Sequence, residues 1–184
     1  MKKALSIAFG LGLGALAMVA LPSEGTAQIE RLSLRQMVNR TDNCVMGIIR
    51  DREVIRVDHP VDGPQLYFTF LTIEGRSMID DKPLTVEVAF PGGFVSDREG
   101  VYNSEAPSAD DTRIGNRIVA FYKWSPNIGG DVAANALYCM HGGLYRTYEF
   151  RDRVVIQGRG EGYAIENNVE RLNLSSRMRE MKVK

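Results

Sequence analysis

Two cysteines and two histidines in 184 residues leave little material for thiol or metal chemistry. The cysteines, Cys44 and Cys139, form no C-x-x-C pair, and the histidines, His59 and His141, belong to no H-E-x-x-H motif. Two cysteines are also too few for a disulfide-built mini-protein. Neither sign of charge is in excess: 23 Lys+Arg stand against 23 Asp+Glu, for a formal net charge of +0. Without an overall field the chain has no general attraction for nucleic acid or anionic lipid, so no nucleic-acid partner is expected. No phosphate-cradling loop is present. The nearest stretch, Gly158 to Gly162 (GRGEG), opens no helix after a strand and reads as a sharp turn. What remains is an ordinary globular composition, 44% hydrophobic and 25% charged.

The one long uncharged run comes first. Met1-Lys2-Lys3 precedes Ala4 to Ala20, which carries no charge, and Leu21-Pro22 breaks the run. Gly25 and Ala27 then give the small-x-small spacing of a signal peptidase site before Gln28. The run is short for a membrane span, and Gly10, Gly12 and Gly14 weaken it further. Residues 1–27 are therefore read as a cleaved bacterial Sec-type signal, and no later stretch approaches transmembrane length. The expected mature product, residues 28–184, is one domain with a C-terminal extension and no membrane span, periplasmic or secreted. In an oxidising compartment an even cysteine count favours pairing, which makes Cys44–Cys139 a candidate disulfide against the alternative of two buried thiols.

Along the mature chain, Ser33 and Gln36 fit a capping box opening a short helix from Leu34 to Asn39. Cys44–Val57 is strand-like and β-branched, with its phase shifting near Arg50–Glu53. Leu66–Glu74 is apolar on both faces, as a covered central strand should be. Leu84, Val86, Val88 and Phe90 alternate with polar neighbours. Pro91 to Gly115 shows no periodicity and reads as a long loop. Arg117–Trp124 is a strand, and Ser125–Ala134 another loop. Ala136–Met140 and Leu144–Phe150 are expected to pair across His141-Gly142-Gly143. Val154–Gln157 is a short strand, and the tail ends in a helix. Strands this short and numerous predict a mainly β protein: a small OB-like barrel, closed or partly open, with a short N-terminal helix and long loops. The predicted core is Val45, Ile48, Phe68, Phe70, Val86, Val88, Val119 and Phe121.

Four motifs occur in order: VMG at Val45–Gly47, LTIEG at Leu71–Gly75, LTVEVAFPGG at Leu84–Gly93 and IGNRIVAFYK at Ile114–Lys123. This series resembles a set of exported bacterial β-barrel proteins and is distantly similar to the OB-type barrel of netrin modules and tissue inhibitors of metalloproteinases. The resemblance implies a barrel and carries no chemistry. The amino-terminal cysteine framework of the inhibitors is missing, so protease inhibition is not implied.

No catalytic constellation dominates the chain. Cys139 and His141 stand at i and i+2, yet two glycines follow at once and place His141 in a turn. The resulting expectation is an exported, non-catalytic binding or structural module without cofactor or metal. Its partner would be an envelope protein or a small anionic or carbohydrate ligand. Arginines in the second half (Arg113, Arg117, Arg146, Arg151, Arg153 and Arg159), interleaved with Tyr122, Trp124, Tyr138, Tyr145, Tyr148 and Tyr163, suit such a ligand. The alternative is an exported hydrolase built on Cys139 and His141 or on the Asp110-Asp111 loop. Binding residues concentrate on loops held by a rigid scaffold. The candidate ligand contacts are therefore Tyr102, Asp110, Asp111 and Arg113 in the long loop, with Trp124 from the neighbouring one.

Overall fold

The computed structural model describes residues 31–182. The signal segment and its cleavage after Ala27 lie outside the described residues. Ser33 Oγ accepts from the Gln36 amide at 3.3 Å and Gln36 Oε1 accepts from the Ser33 amide at 2.9 Å, so the capping box opens helix α1 (Leu34–Arg40).

Strands β1 (Asn43–His59), β2 (Gly63–Ser77) and β3 (Pro83–Pro91) form an antiparallel meander. The register of β1 on β2 shifts between Ile49 and Asp51, so the change of phase in the sequence is a β-bulge. Before the bulge, β1 also pairs with β6 (Arg117–Ser125), from Asn43↔Tyr122 to Ile48↔Arg117. β7 (Ala134–Leu137) runs antiparallel to β6 and parallel to β3, through Val88↔Asn135 and Ala89↔Ala136. The order β1-β2-β3-β7-β6 returns to β1 and closes a five-stranded OB-like barrel.

Two sequence expectations are corrected here. Residues 91–115 are not structureless, because β4 (Gly93–Ser96) and β5 (Glu99–Val101) form a hairpin within them. Both strands are too short to show a period, and Phe94, Val95 and Val101 are exposed. The second correction concerns β7 and β8 (Leu144–Phe150), which do not pair with each other. β6 pairs with β7 through Tyr122–Ser125 and with β8 through Ile118–Ala120, so the two lie end to end along β6. Between them Cys139 and Met140 take left-handed φ values of 55° and 51°, and a 3-10 turn, Met140–Gly143, follows. That geometry makes a step along one partner, where a hairpin would need two facing strands. β8 instead pairs with β9 (Arg153–Ile156) across Arg151 and Asp152, both left-handed. β10 (Val169–Glu170) adds to β9 and leads into helix α2 (Arg171–Lys182).

The apolar residues divide into two cores. Inside the barrel lie Val45, Ile49, Leu71, Ile73, Val86, Val88, Phe90, Ile118 and Leu144. Outside it, the other faces of β1 and β6, with β8 and β9, are roofed by the two helices over Cys44, Val119, Phe121, Tyr145, Ile156, Leu174 and Met178. Val119 and Phe121 are buried as expected, but in this second core and not in the barrel. Ile48 and Phe70 are only partly buried. Phe68 is buried but belongs to neither cluster. Cys44 sits in the second core, where burial pushes its thiol pKa well up, and Cys139 packs against the same core; no disulfide joins the two.

The VMG and LTIEG glycines face each other as Gly47↔Gly75. A Cβ on Gly75 would strike the Met46 carbonyl and Gly47 Cα, and one on Gly47 would lie 2.8 Å from the Glu74 carbonyl carbon. The two strands can cross this closely only without side chains.

In the turn between β2 and β3, hydrogen bonds from Ser77 and Lys82 hold the Asp80 carboxyl at about 2, below its ordinary 3.8. A carboxyl whose folded pKa is depressed stabilises the fold above its unfolded value, and that contribution is lost as pH falls from 3.8 through about 2. Asp80→Asn is therefore expected to be less stable than the parent by a constant amount above about pH 5, the gap shrinking between about pH 4 and 2. Urea midpoints measured across that range check it, and a gap unchanged at the acid end contradicts it.

Candidate ligand groove

Beyond its bulge, β1 pairs with β2 and no longer with β6, β3 borders β2 only as far as Phe68, and this arm is covered from both faces. On one face lies the β4–β5 hairpin. Thr69 Oγ1 donates to the Gly92 carbonyl at 2.7 Å, Arg56 Nη1 to Glu99 Oε1 at 2.9 Å, and Tyr67 Oη to the same carboxylate oxygen at 3.3 Å. Burial and the Glu99 carboxylate raise the Tyr67 pKa, while the Gln65 amide, donating to Asp58, lowers that of Asp58. Gly93, at φ +129°, lies where any Cβ would meet Thr69 and Val54, which explains the second glycine of the P-G-G motif.

The β6–β7 loop covers the other face. The Gly130 amide donates to Asp62 Oδ2 at 2.7 Å, and His59 Nε2 lies 3.1 Å from Asp131 Oδ2. His59 Nδ1 accepts from the Asp62 amide at 3.0 Å, so Nε2 holds the proton given to Asp131. The β1–β2 turn and the β6–β7 loop are thereby clasped together.

Between hairpin and loop opens a groove of about 420 Å³. Its apolar walls include Leu66, Tyr67, Phe68 and Ile128, and its polar groups include Asp62, Gln65 and Asn103. Among the described residues no lysine or arginine lines it. Tyr102, 80% exposed, stands on its rim. The same residue also borders a second groove of about 360 Å³, towards Arg52, Phe90 and Phe94.

Of the residues predicted from sequence, Tyr102 alone lines these grooves. Asp110 and Arg113 are brought together, as an exposed ion pair at 2.6 Å. Asp111 turns away to Arg159, at 3.0 Å. Trp124 is half-exposed and lines neither groove; its amide donates to Asp42 Oδ2 at 2.7 Å, beside the end of α1. The five do not form one site. Leu66, Phe68, Gln65 and Ile128 were missed, because strand and loop apolar residues carry no mark of the groove they border. One signal was available: Asp58 and Asp62 flanking His59 in a proline-punctuated loop.

The hydrolase alternative finds a different arrangement from the one it needs. His141 Nδ1 is 2.9 Å from the Glu105 carbonyl, which only accepts, so Nδ1 donates there. Nε2 is 3.1 Å from Tyr163 Oη. Both nitrogens are thus engaged, and neither by a cysteine. Asp110 and Asp111 each face an arginine and not each other. Among the described residues no three His, Cys, Asp or Glu side chains cluster as a metal site, and no helix is long and apolar enough to cross a membrane. No protein-family model, curated protein or solved structure matches the chain.

Proposed function

We propose that the protein is an exported, non-catalytic binding module. It takes an uncharged, ring-bearing ligand of the carbohydrate class in the groove beside Tyr102. The observation that carries this reading is the Tyr102 ring, exposed on the rim of a groove with apolar walls, bordered by Gln65 and Asn103 and lined by no cation among the described residues. Amphipathic aromatics supply stacking area together with a polar tip. A groove whose one carboxylate is Asp62 disfavours an anion and suits hydroxyl donors. OB-like barrels bind oligosaccharides and oligonucleotides at the face of their second and third strands and at the loops joining strands one to two and four to five. Here those loops are the β1–β2 turn and the β6–β7 loop that flank the groove. The signal-like residues 1–27 support export, and the OB-like strand order agrees with the resemblance drawn from the motifs. Engagement of both His141 nitrogens supports a non-catalytic role.

The test is a glycan array probed with residues 28–184 and with Tyr102→Ala. A bound glycan should lose about tenfold affinity in the variant, the effect of deleting one aromatic anchor. Melting temperature should stay within error, since an exposed ring stabilises little. An array without hits, or equal binding by parent and variant, would refute the reading.

A further inference from the structure

A second cavity, of about 320 Å³, lies away from the groove and is lined by Asp111, Arg146, Gln157, Gly158, Arg159 and Tyr163. Two arginines and one tyrosine from the second half of the sequence, Arg146, Arg159 and Tyr163, meet there. Arg159 is fixed on three sides. Its Nε and Nη2 donate to the Leu144 carbonyl at 3.0 and 2.9 Å, Nη2 also meets Asp111 Oδ2 at 3.0 Å, and its guanidinium lies 5.8 Å from the centre of the Tyr145 ring. Nη1 makes no hydrogen bond among the described residues and is left for the cavity. Arg146 lies on β8, where its carbonyl accepts from the Gln157 amide, and forms no ion pair among the described residues. Two guanidinium groups thus face one carboxylate, and that carboxylate is already engaged by one of them. The Gln157 side chain adds a neutral amide, while the Tyr163 hydroxyl, which donates to His141 Nε2 at 3.1 Å, borders the cavity without a further proton to give.

We infer that this cavity is a binding site for a small oxyanion, the phosphate or carboxylate group of a ligand. Asp111 serves to aim Arg159 and not to contact the ligand. A pre-oriented guanidinium presents its Nη1 protons to such a group without first being ordered, whereas a mobile one must lose its freedom on binding. Arg146 supplies the net positive charge that Arg159, matched by Asp111, does not. The site is independent of the Tyr102 groove, which holds no cation.

Inorganic phosphate is the probe, titrated by calorimetry and by chemical-shift change into residues 28–184 and into Arg146→Gln. Arg113→Gln is the control, a guanidinium in an exposed pair outside the cavity. Saturable binding about tenfold weaker in Arg146→Gln and unchanged in Arg113→Gln is the expected result. Phosphate that never saturates, or that binds both variants as it binds the parent, would overturn the assignment. A parallel arm with vesicles containing anionic phospholipid identifies the source of the oxyanion. Vesicle binding that phosphate competes away points to a lipid headgroup, and binding of phosphate with no vesicle association points to a free solute. Both of these outcomes support the site. Arg146 is exposed, so its replacement leaves the fold intact, and circular dichroism confirms that before titration.

Discussion

Gly75→Ala should destabilise the protein by about 3 kcal/mol or more, a large part of the total stability of a domain this size. The new methyl group has nowhere to go. It would fall on the Met46 carbonyl and on Gly47 Cα, and backbone atoms cannot rotate aside as a side-chain tip can. Relief requires β1 and β2 to move apart at the residue where Gly47 pairs with Gly75, a pairing flanked by Met46↔Arg76 and Ile48↔Glu74. β1 is also held there by β6, through Gly47↔Ile118, so the strain spreads to the barrel closure. Gly115→Ala is the control. Gly115 has φ +92° but no atom within 4 Å of its would-be Cβ, so the change should cost only about 1 kcal/mol of backbone strain. Urea unfolding of both variants decides between them. Equal costs would mean that conformation, and not the crossing of the strands, explains the glycine at 75.

Phe121→Ala should cost about 3–5 kcal/mol. Phe121 is wholly buried and meets Tyr145 edge-on, with ring centres 6.2 Å apart and planes at 79°. Its loss empties the middle of the core between barrel and helices, where a rigid strand on one side prevents collapse. It also removes the ring partner of Tyr145, whose hydroxyl accepts from the Ile165 amide and has its pKa raised by burial to about 12. Thermal and urea unfolding measure the effect. A cost under about 1 kcal/mol would show that the helices close down over the gap.

The elements whose inward side could be read in the sequence are those whose two faces differ. Leu84, Val86 and Val88 alternate with the exposed Thr85 and Glu87, and β3 does turn them and Phe90 into the barrel, with Ala89 buried as well. Ser33 and Gln36 announced α1 through side-chain chemistry alone. β6 was legible as a strand over Arg117–Trp124 but not in its facing, because Ile118 to Tyr122 is buried throughout, with alternate residues serving two different cores. A strand covered on both sides has no phase to read, which is how Val119 and Phe121 were placed in the wrong core. The groove was illegible for another reason. Tyr102 could be picked out as a loop aromatic, but the walls are contributed by β2 and by the β6–β7 loop, brought together through Gly130–Asp62 and His59–Asp131. Asp111 shows the converse: it adjoins Asp110 in sequence, yet the two point to arginines 46 positions apart, Arg113 and Arg159.

The packing of α1 against α2 carries a consequence for the order in which the chain becomes available. α1 is the first described element and α2 follows every strand, yet the two lie side by side, with Lys182 Nζ donating to the Thr41 carbonyl at 2.9 Å. During synthesis or translocation from the amino end, all five strands of the ring emerge before residue 171 and can close. The surface formed by Met37, Val38, Phe121 and Tyr145 must then wait for Leu174 and Met178 to cover it. Until that last helix arrives, the newborn barrel keeps this apolar flank open to water.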